Sequence, residues 1–313
     1  MKLQQLRYVV EVVRRDMNVS EAATALFTSQ PGVSKQIRLL EDELGITIFE
    51  RSGKRFTGIT EPGRAIVERA EHILFEAENI RRLGKDHSDG DSGTLVIAAT
   101  HTQARYALPP AVKAFVDRHP GVQLILHQGT PFQIAGWVEK GEADIGIATE
   151  YLEAQPGLVT LPVRQWHHCV IAPLGHPILK EHPLSLRALA RWPLVTYDSA
   201  FTGRSSINRA FERQGLAPRV VLTALDADVI KTYVILGLGL GIIADLAFDP
   251  ERDTRLDCRM ARDLFETNMT RIALRRGIFP RRFEYDFISL FAPHLDRRAI
   301  EWALRGNGET YQL

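Results

Sequence analysis

The sequence predicts an α/β protein in three parts: an N-terminal helical segment closed by a hairpin, a connecting helix, and a larger domain of two α/β lobes. Three observations support this prediction. Apolar residues recur at helical spacing before position 45, a charged helical stretch follows Thr60, and short β-type runs alternate with helical runs after Gly93. Such alternation of strands and helices is typical of doubly wound sheets.

The chain has 313 residues, of which 45% are hydrophobic and 25% are charged, as in globular proteins with more than one core. Its formal net charge of +1 means that any contact with nucleic acid must come from a local basic patch. Its two cysteines, Cys169 and Cys258, offer no disulfide framework and fit a reducing cytosol. We see no signal peptide and no membrane-spanning run, so we expect a cytoplasmic protein without a membrane partner.

The first part of the chain predicts three helices. One apolar face of the first helix is formed by Leu6, Val9, Val10 and Val13. Asn18 is predicted to cap the second helix, with Glu21 placed as in a capping box. Ser29 is predicted to cap the third helix, and Gly45 is predicted to end it.

The outward face of the third helix carries polar and basic side chains, which can bond to base edges and phosphates. A basic turn around Gly53 follows, and it predicts a hairpin whose tip reaches backbone phosphate. The predicted DNA contacts are Ser29, Gln30, Ser34, Lys35, Arg38, Arg51, Lys54 and Arg55. A small helical bundle with a solvated polar face is the alternative that this pattern alone leaves open.

The stretch "MNVSEAATALFTSQPGVSKQIRLLEDELGITIFERSGKR" closely resembles the winged helix-turn-helix of LysR-type transcriptional regulators. This resemblance implies double-stranded promoter DNA as a partner. It also implies a homo-oligomer, a dimer or a tetramer, that presents paired DNA-binding heads. The resemblance also allows RNA polymerase as a further partner.

The connecting helix carries apolar residues that alternate four and three apart, which is typical of a helix that pairs with another helix. These residues are Ile66, Ala70, Ile73, Ala77 and Ile80. Packing against the chain's own core is the alternative, but the charged residues on the other faces favour a dimer. In LysR-type proteins such a helix pairs two subunits. The polar stretch at residues 85–93 predicts a domain boundary.

Polar side chains stand where predicted strands end in both lobes of the larger domain. The predicted ligand-binding residues are Thr100, Thr102, Gln103, Thr149 and Thr202. Because open α/β sheets bind ligands beyond the carboxyl ends of their strands, we expect these residues to line one pocket. Hydroxyls, an amide and helix N-termini can hold an anion without a salt bridge. Any one of these threonines, taken alone, is more often a helix cap than a ligand contact.

The larger domain resembles the type 2 periplasmic-binding fold of LysR-type effector domains. The segments "THTQARYALP", "GEADIGIATE" and "TALDADVIKTYV" closely resemble the CysB subgroup, which regulates sulfur assimilation. This resemblance implies a regulator of cysteine-biosynthesis genes whose small anionic effector is sulfate, O-acetylserine or N-acetylserine. The segment "VRQWHHCVIAP", residues 163–173, departs from the subgroup and can touch the pocket wall, so the identity of the effector stays open.

We therefore expect a winged helix-turn-helix at residues 1–59, a dimerisation helix at 60–87 and an effector-binding domain at 88–313. Lobe I is expected at about 88–163 and 267–313, and lobe II at about 164–266. A regulator of sulfonate or sulfate-ester use is the close alternative. A transporter's solute-binding protein is a second one, but it has no use for a DNA-binding segment.

The sequence contains no motif that supports catalysis or cofactor binding, so we expect neither an enzyme nor a cofactor. The run "GLGLG" at residues 237–241 follows a helix rather than a strand, which is the wrong context for dinucleotide binding. His167 and His168 are neighbours, and on a strand they would point to opposite faces and could not share a metal.

Overall fold

The computed structural model describes residues 1–53, 55–88, 92–198 and 204–306. The chain divides into two compact units, Met1–Ser88 and Asp89–Leu313. Within the described ranges, no helix has the length and apolarity that a bilayer crossing requires.

The N-terminal unit is a winged helix-turn-helix followed by one long helix. Its elements are α1 (Leu3–Arg14), α2 (Val19–Ala25), α3 (Gln30–Leu44), β1 (Phe49–Ser52), β2 (Arg55–Ile59) and α4 (Glu61–Ser88). The apolar face predicted for α1 packs into a core shared with α2 and α3. β1 and β2 form the predicted antiparallel hairpin. Gly53 near its tip has a φ of +61°, which glycine adopts without the steric cost of a Cβ.

The predicted helix ends are confirmed by their hydrogen bonds. The side chain of Asn18 accepts from the backbone N–H groups of Ser20 and Glu21. The Ser29 hydroxyl accepts from the Gly32 N–H at 3.3 Å, and Gly45 ends α3 in the left-handed conformation. These caps satisfy backbone groups that the helices themselves leave unpaired.

The apolar repeat on α4 is divided between two environments. Ile66 and Ala70 pack against the core of the N-terminal unit, whereas Ile73 is 40% exposed and Ile80 is 69% exposed. The prediction of one continuous seam for a partner helix is therefore wrong at its first two positions. Periodicity identified the apolar face, but the partner of its first part is the chain's own core.

The C-terminal unit contains two five-stranded sheets with helices packed on them. Its first elements are β3 (Gly93–Ala99), α5 (Pro109–Arg118), β4 (Val122–Gln128), α6 (Pro131–Lys140), β5 (Ile145–Ala148) and β6 (Leu158–Trp166). The middle elements are β7 (His168–Pro173), α7 (Leu186–Leu189), β8 (Leu194–Tyr197), α8 (Arg204–Arg213), β9 (Val220–Ala224), α9 (Ala227–Ile235), β10 (Leu240–Ala244) and β11 (Leu256–Met260). The last are β12 (Asn268–Arg275), α10 (Arg282–Phe291) and α11 (Arg297–Leu304).

The two sheets share one plan, as the doubly wound pattern predicted. The first has the order β4-β3-β5-β12-β6, and the second has the order β11-β7-β10-β8-β9. In each sheet three strands are parallel and the other two are antiparallel to their neighbours. Separate apolar clusters cover both faces of each sheet, so the parallel strands are buried on both sides.

The glycine-rich run at residues 237–241 joins α9 to β10, and its last two residues belong to β10. Gly237 has a φ of +82°. A Cβ on Gly239 would lie 2.3 Å from the carbonyl oxygen of Pro193. The glycines therefore allow close backbone packing, and the run gives no dinucleotide-binding geometry.

The chain passes between the sheets at two places. β6 stays in the first sheet as far as Trp166, which pairs with Asn268 of β12, and β7 begins the second sheet at His168. The first sheet therefore ends just before His167, a few residues beyond the approximate boundary expected from the sequence, because pairing with β12 extends β6 to Trp166. The return passage lies between β11 and β12.

Candidate functional site

The outward face of α3 presents the side chains predicted to contact DNA. Gln30, Lys35 and Arg38 are exposed, and Ser34 is partly buried. The opposite face is held in the core by Val33, Ile37 and Leu40. Ser29 already accepts a backbone hydrogen bond as the helix cap. The outward face of α3 is thus accessible for contact with DNA, and its predicted contact residues are all polar or basic.

The hairpin is anchored by a buried carboxylate. Glu41 Oε1 accepts from the backbone N–H groups of Ile48 at 2.8 Å and Phe49 at 3.2 Å. Its other oxygen pairs with the Arg51 guanidinium, which lies 5.0 Å from the centre of the Phe56 ring. Arg51, predicted to reach phosphate, therefore has an intramolecular partner. Arg55 is exposed, and Lys54 lies outside the described residues.

Four of the five predicted ligand-binding residues line a single pocket in the C-terminal unit. Its walls are formed by Thr100, His101, Thr102, Gln103, Thr149, Trp166, Tyr197, Leu225 and Ala244. The fifth predicted residue, Thr202, lies outside the described residues. β3, β5, β8, β9 and β10 all end at this pocket, so both sheets direct the carboxyl ends of their parallel strands toward it.

The segment after β3 does not lead directly into an α-helix. A π-helical turn, Gln103–Ala107, precedes α5, and Thr102 makes no side-chain capping bond to it. The helix-cap alternative therefore does not account for Thr102. Such π-helical turns frequently occur at functional sites.

Side-chain hydrogen bonds orient two of the predicted residues. Gln103 Nε2 donates to Thr270 Oγ1 at 2.9 Å, and the buried Gln103 Oε1 has no protein partner. Trp166 Nε1 donates to Thr149 Oγ1 at 3.2 Å. Since the Thr149 oxygen accepts this bond, its own proton can be donated elsewhere.

Five lining residues were missed by the sequence reasoning: His101, Trp166, Tyr197, Leu225 and Ala244. Two of them, Tyr197 and Ala244, are the last residues of their strands. The expectation that ligands bind at strand ends, which identified Thr100, could therefore have pointed to them as well. Trp166 belongs to the segment noted for its departure from the CysB subgroup. Leu225 carries no polar group that would have marked it.

The pocket is lined by polar groups that are mostly neutral. Its described lining contains no lysine, arginine or carboxylate. Burial raises the pKa of the Tyr197 phenol, so this group stays protonated. An anion in the pocket would be held by hydroxyls, amides and backbone N–H groups.

A charged network lies beside the pocket and joins the two lobes. His101 Nε2 lies 3.2 Å from Asp228 Oδ2, and Arg105 Nε lies 2.6 Å from the same oxygen. Tyr106 Oη donates to Asp228 Oδ1 at 2.6 Å. Burial opposes ionisation of Asp228, but the hydrogen bonds from Tyr106 and His101 and the charge of Arg105 outweigh it and lower its pKa.

Metal binding was considered for His101, Asp226 and Asp228, whose ligand atoms all lie within 4.8 Å of one another. Arg105 already supplies a positive charge to Asp228, which disfavours a cation there. The adjacent histidines His167 and His168 do not share a site either. The His167 ring forms a hydrogen bond with Thr267, while His168 is buried between Trp166 and Phe265. We assign no metal to either group.

Comparison with known proteins identifies both units. Residues 88–295 match the LysR substrate binding domain, and residues 3–64 match the bacterial regulatory helix-turn-helix proteins of the lysR family. The chain is 53% identical over 305 residues to the HTH-type transcriptional regulator SsuR of Burkholderia cenocepacia, covering 97% of this chain and 99% of that protein. It is 52% identical over 313 residues to CysB of the same organism, covering 100% of both.

A solved structure gives the same result for the C-terminal unit. The cofactor-binding domain of the Cbl transcriptional regulator is 45% identical, with a TM-score of 0.66, covering 70% of this chain and 95% of that one. Together with the winged helix-turn-helix and the two-sheet domain, these matches show that the chain belongs to the LysR family of transcriptional regulators.

Proposed function

We propose that this protein regulates genes of sulfur assimilation, including cysteine biosynthesis, by binding promoter DNA as a homo-oligomer in the cytoplasm. Its signal is a small anionic effector, either sulfate or an acetylated serine. The observation that carries this proposal is the pocket at the carboxyl ends of strands from both sheets, where Thr100, Thr102, Gln103 and Thr149 meet. Its neutral lining suits a compact oxyanion that must exchange as its concentration changes.

A regulator of sulfonate or sulfate-ester use remains the second candidate. SsuR and CysB of one organism match this chain at 53% and 52% identity, so identity does not separate regulators with different names. The solute-binding alternative is disfavoured by the N-terminal unit, because residues 3–64 match a DNA-binding family.

DNA binding is tested with the genomic fragment that the wild-type protein enriches. Lys35→Ala and Arg38→Ala should each weaken binding, and each lost phosphate contact should reduce the slope of log affinity against log salt by about 0.9. Arg118→Ala, on the C-terminal unit, is the matched control. Unchanged affinity in both α3 variants would remove this helix from the DNA interface.

The effector is tested by thermal shift and calorimetry on the full-length protein with sulfate, O-acetylserine, N-acetylserine and a short alkanesulfonate. A ligand that binds the folded state raises the melting temperature. Selective stabilisation by the alkanesulfonate would favour the second candidate. Stabilisation by none of the four would contradict the proposed effector class.

A further inference from the structure

The second lobe contributes a buried hydroxyl to the pocket through Tyr197. This residue ends β8 and is only 4% exposed. Its ring packs in the apolar cluster between the second sheet and α9. The residue also belongs to the pocket lining, and its hydroxyl contacts Ala244, another lining residue. The aromatic core therefore fixes the position of one hydroxyl at the point where the two lobes meet.

The hydrogen bonds of this phenol leave its proton available. The backbone N–H of Ala244 donates to Tyr197 Oη at 3.2 Å. Thr102, from the first lobe, lines the same pocket. One lone pair of the phenol is thus occupied by β10, and its own O–H can be donated to a ligand in the pocket.

The Thr149 hydroxyl is also available as a hydrogen-bond donor. Trp166 occupies the oxygen of Thr149 and leaves that hydroxyl proton free. Burial keeps the Tyr197 phenol protonated, so it remains a donor at every physiological pH. Three hydroxyl donors, from Thr102, Thr149 and Tyr197, can therefore turn toward one acceptor without any charged side chain.

We propose that Tyr197 is an effector-binding residue, and that its hydroxyl and that of Thr102 hold the same oxyanion from opposite lobes. The ligand class is a compact oxyanion, a carboxylate or a sulfate group. The inference rests on the proposed function, which supplies the anionic effector. It assigns a residue of the second lobe, Tyr197, to the binding of that anion.

A shared anion has a direct structural consequence. Thr102 belongs to the segment after β3 and Tyr197 to the end of β8, so one ligand would be bonded to both sheets at once. The state in which the two hydroxyls are close would then bind the ligand better, and binding would shift the population toward that state.

The test is calorimetry on the full-length protein with two probes, sodium sulfate and N-acetylserine. Tyr197→Phe removes one oxygen and keeps the ring, so it is expected to weaken binding of the recognised probe by about tenfold or more. Tyr233→Phe, on α9 and away from the pocket lining, is the matched control and should stay within about twofold of wild type. The two probes separate a sulfate group from a carboxylate as the source of the anion.

A purely structural role for Tyr197 gives a different result. Tyr197→Phe also removes the acceptor of the Ala244 N–H, so the melting temperature of the ligand-free protein is expected to fall. The inference would be overturned if Tyr197→Phe lowered the melting temperature but bound the probe with wild-type affinity at a temperature where the variant is fully folded. A second variant, Thr102→Val, completes a double-mutant cycle in which the double loss should depart from the product of the single losses. A purely multiplicative result would contradict the shared anion.

The two levels of the proposal fail in distinguishable ways. If the wild-type protein binds neither probe, the effector class is wrong and the role of Tyr197 is overturned with it. If the wild-type protein binds a probe and Tyr197→Phe binds it equally well, the inference alone is overturned. DNA affinity without effector, measured in parallel, should be the same for the control variant Tyr233→Phe and for wild type.

Discussion

The indole N–H of Trp166 donates to the hydroxyl oxygen of Thr149 at 3.2 Å, within the wall of the pocket. Trp166 is the last residue of β6, and Thr149 directly follows β5. The bond therefore sets the direction in which the Thr149 hydroxyl can donate. It links a residue of the predicted site to a residue that the sequence did not reveal as part of it.

Trp166→Phe should consequently weaken effector binding. The loss of an orienting neutral hydrogen bond of about 1 kcal/mol corresponds to roughly fivefold in affinity. Calorimetry on the full-length protein measures this change, and Trp192→Phe, outside the pocket, controls for loss of an indole. An affinity equal to that of wild type would mean that Thr149 does not depend on Trp166 for its orientation.

Glu41→Gln should destabilise the N-terminal unit. The substitution removes the charge that pairs with Arg51 and places an N–H₂ group against the guanidinium. We expect a loss of about 1–3 kcal/mol in the free energy of unfolding, as for other disrupted buried hydrogen-bond partners. Urea denaturation followed by circular dichroism checks this, with Asp42→Asn as the exposed control on the same helix. Equal stability of the two variants would contradict an anchoring role for Glu41.

Ile73→Asp should weaken the proposed homo-oligomer, because Ile73 and Ile80 are the exposed part of the α4 repeat. A carboxylate buried between paired helices carries a large desolvation cost. Sedimentation velocity measures the assembly, and His72→Asp places the same carboxylate on α4 outside the repeat. An Ile73→Asp protein with the same oligomeric state as wild type would assign the oligomer contact to another surface.

His168 should make the stability of the C-terminal unit depend on pH. Burial lowers the pKa of its imidazole from 6.5 to about 4, so the unfolded chain binds this proton more readily than the folded chain. The stabilising contribution is complete above pH 6.5 and is lost as the pH falls toward 4, by about 3 kcal/mol in total.

Denaturation at pH 7.5 and pH 5 measures this effect. His168→Leu should lose less stability between these two values than wild type, and it should be more stable at pH 5, since both ring nitrogens lack partners in the described structure. His127→Leu is the control at an exposed histidine. Equal losses in wild type and His168→Leu would show that another group governs the pH dependence.

The sequence predicted the alternation of strands and helices along the chain and the location of the pocket, because both follow from local patterns. Thr100, Thr102 and Thr149 stood out as hydroxyls at the ends of buried strands. Tyr197 did not, because an aromatic residue in a short apolar strand is more typical of a core. Its ring does lie in the core, and only its oxygen belongs to the site.

Contacts between distant segments could not be predicted in this way. Glu41 lies in an acidic run that reads as solvated, and only the approach of β1 brings two backbone N–H groups and Arg51 to it. Ile66 and Ala70 have the same periodicity as Ile73, yet they pack against their own chain. Periodicity defines a face and leaves its partner open.

The chain crosses between the two sheets twice, at His167 and between β11 and β12. Trp166, which forms part of the pocket wall, directly precedes the first crossing. A rotation of one lobe about these two connections would therefore move the pocket wall near Trp166 less than the outer ends of the sheets, as in hinged domains that close around a ligand.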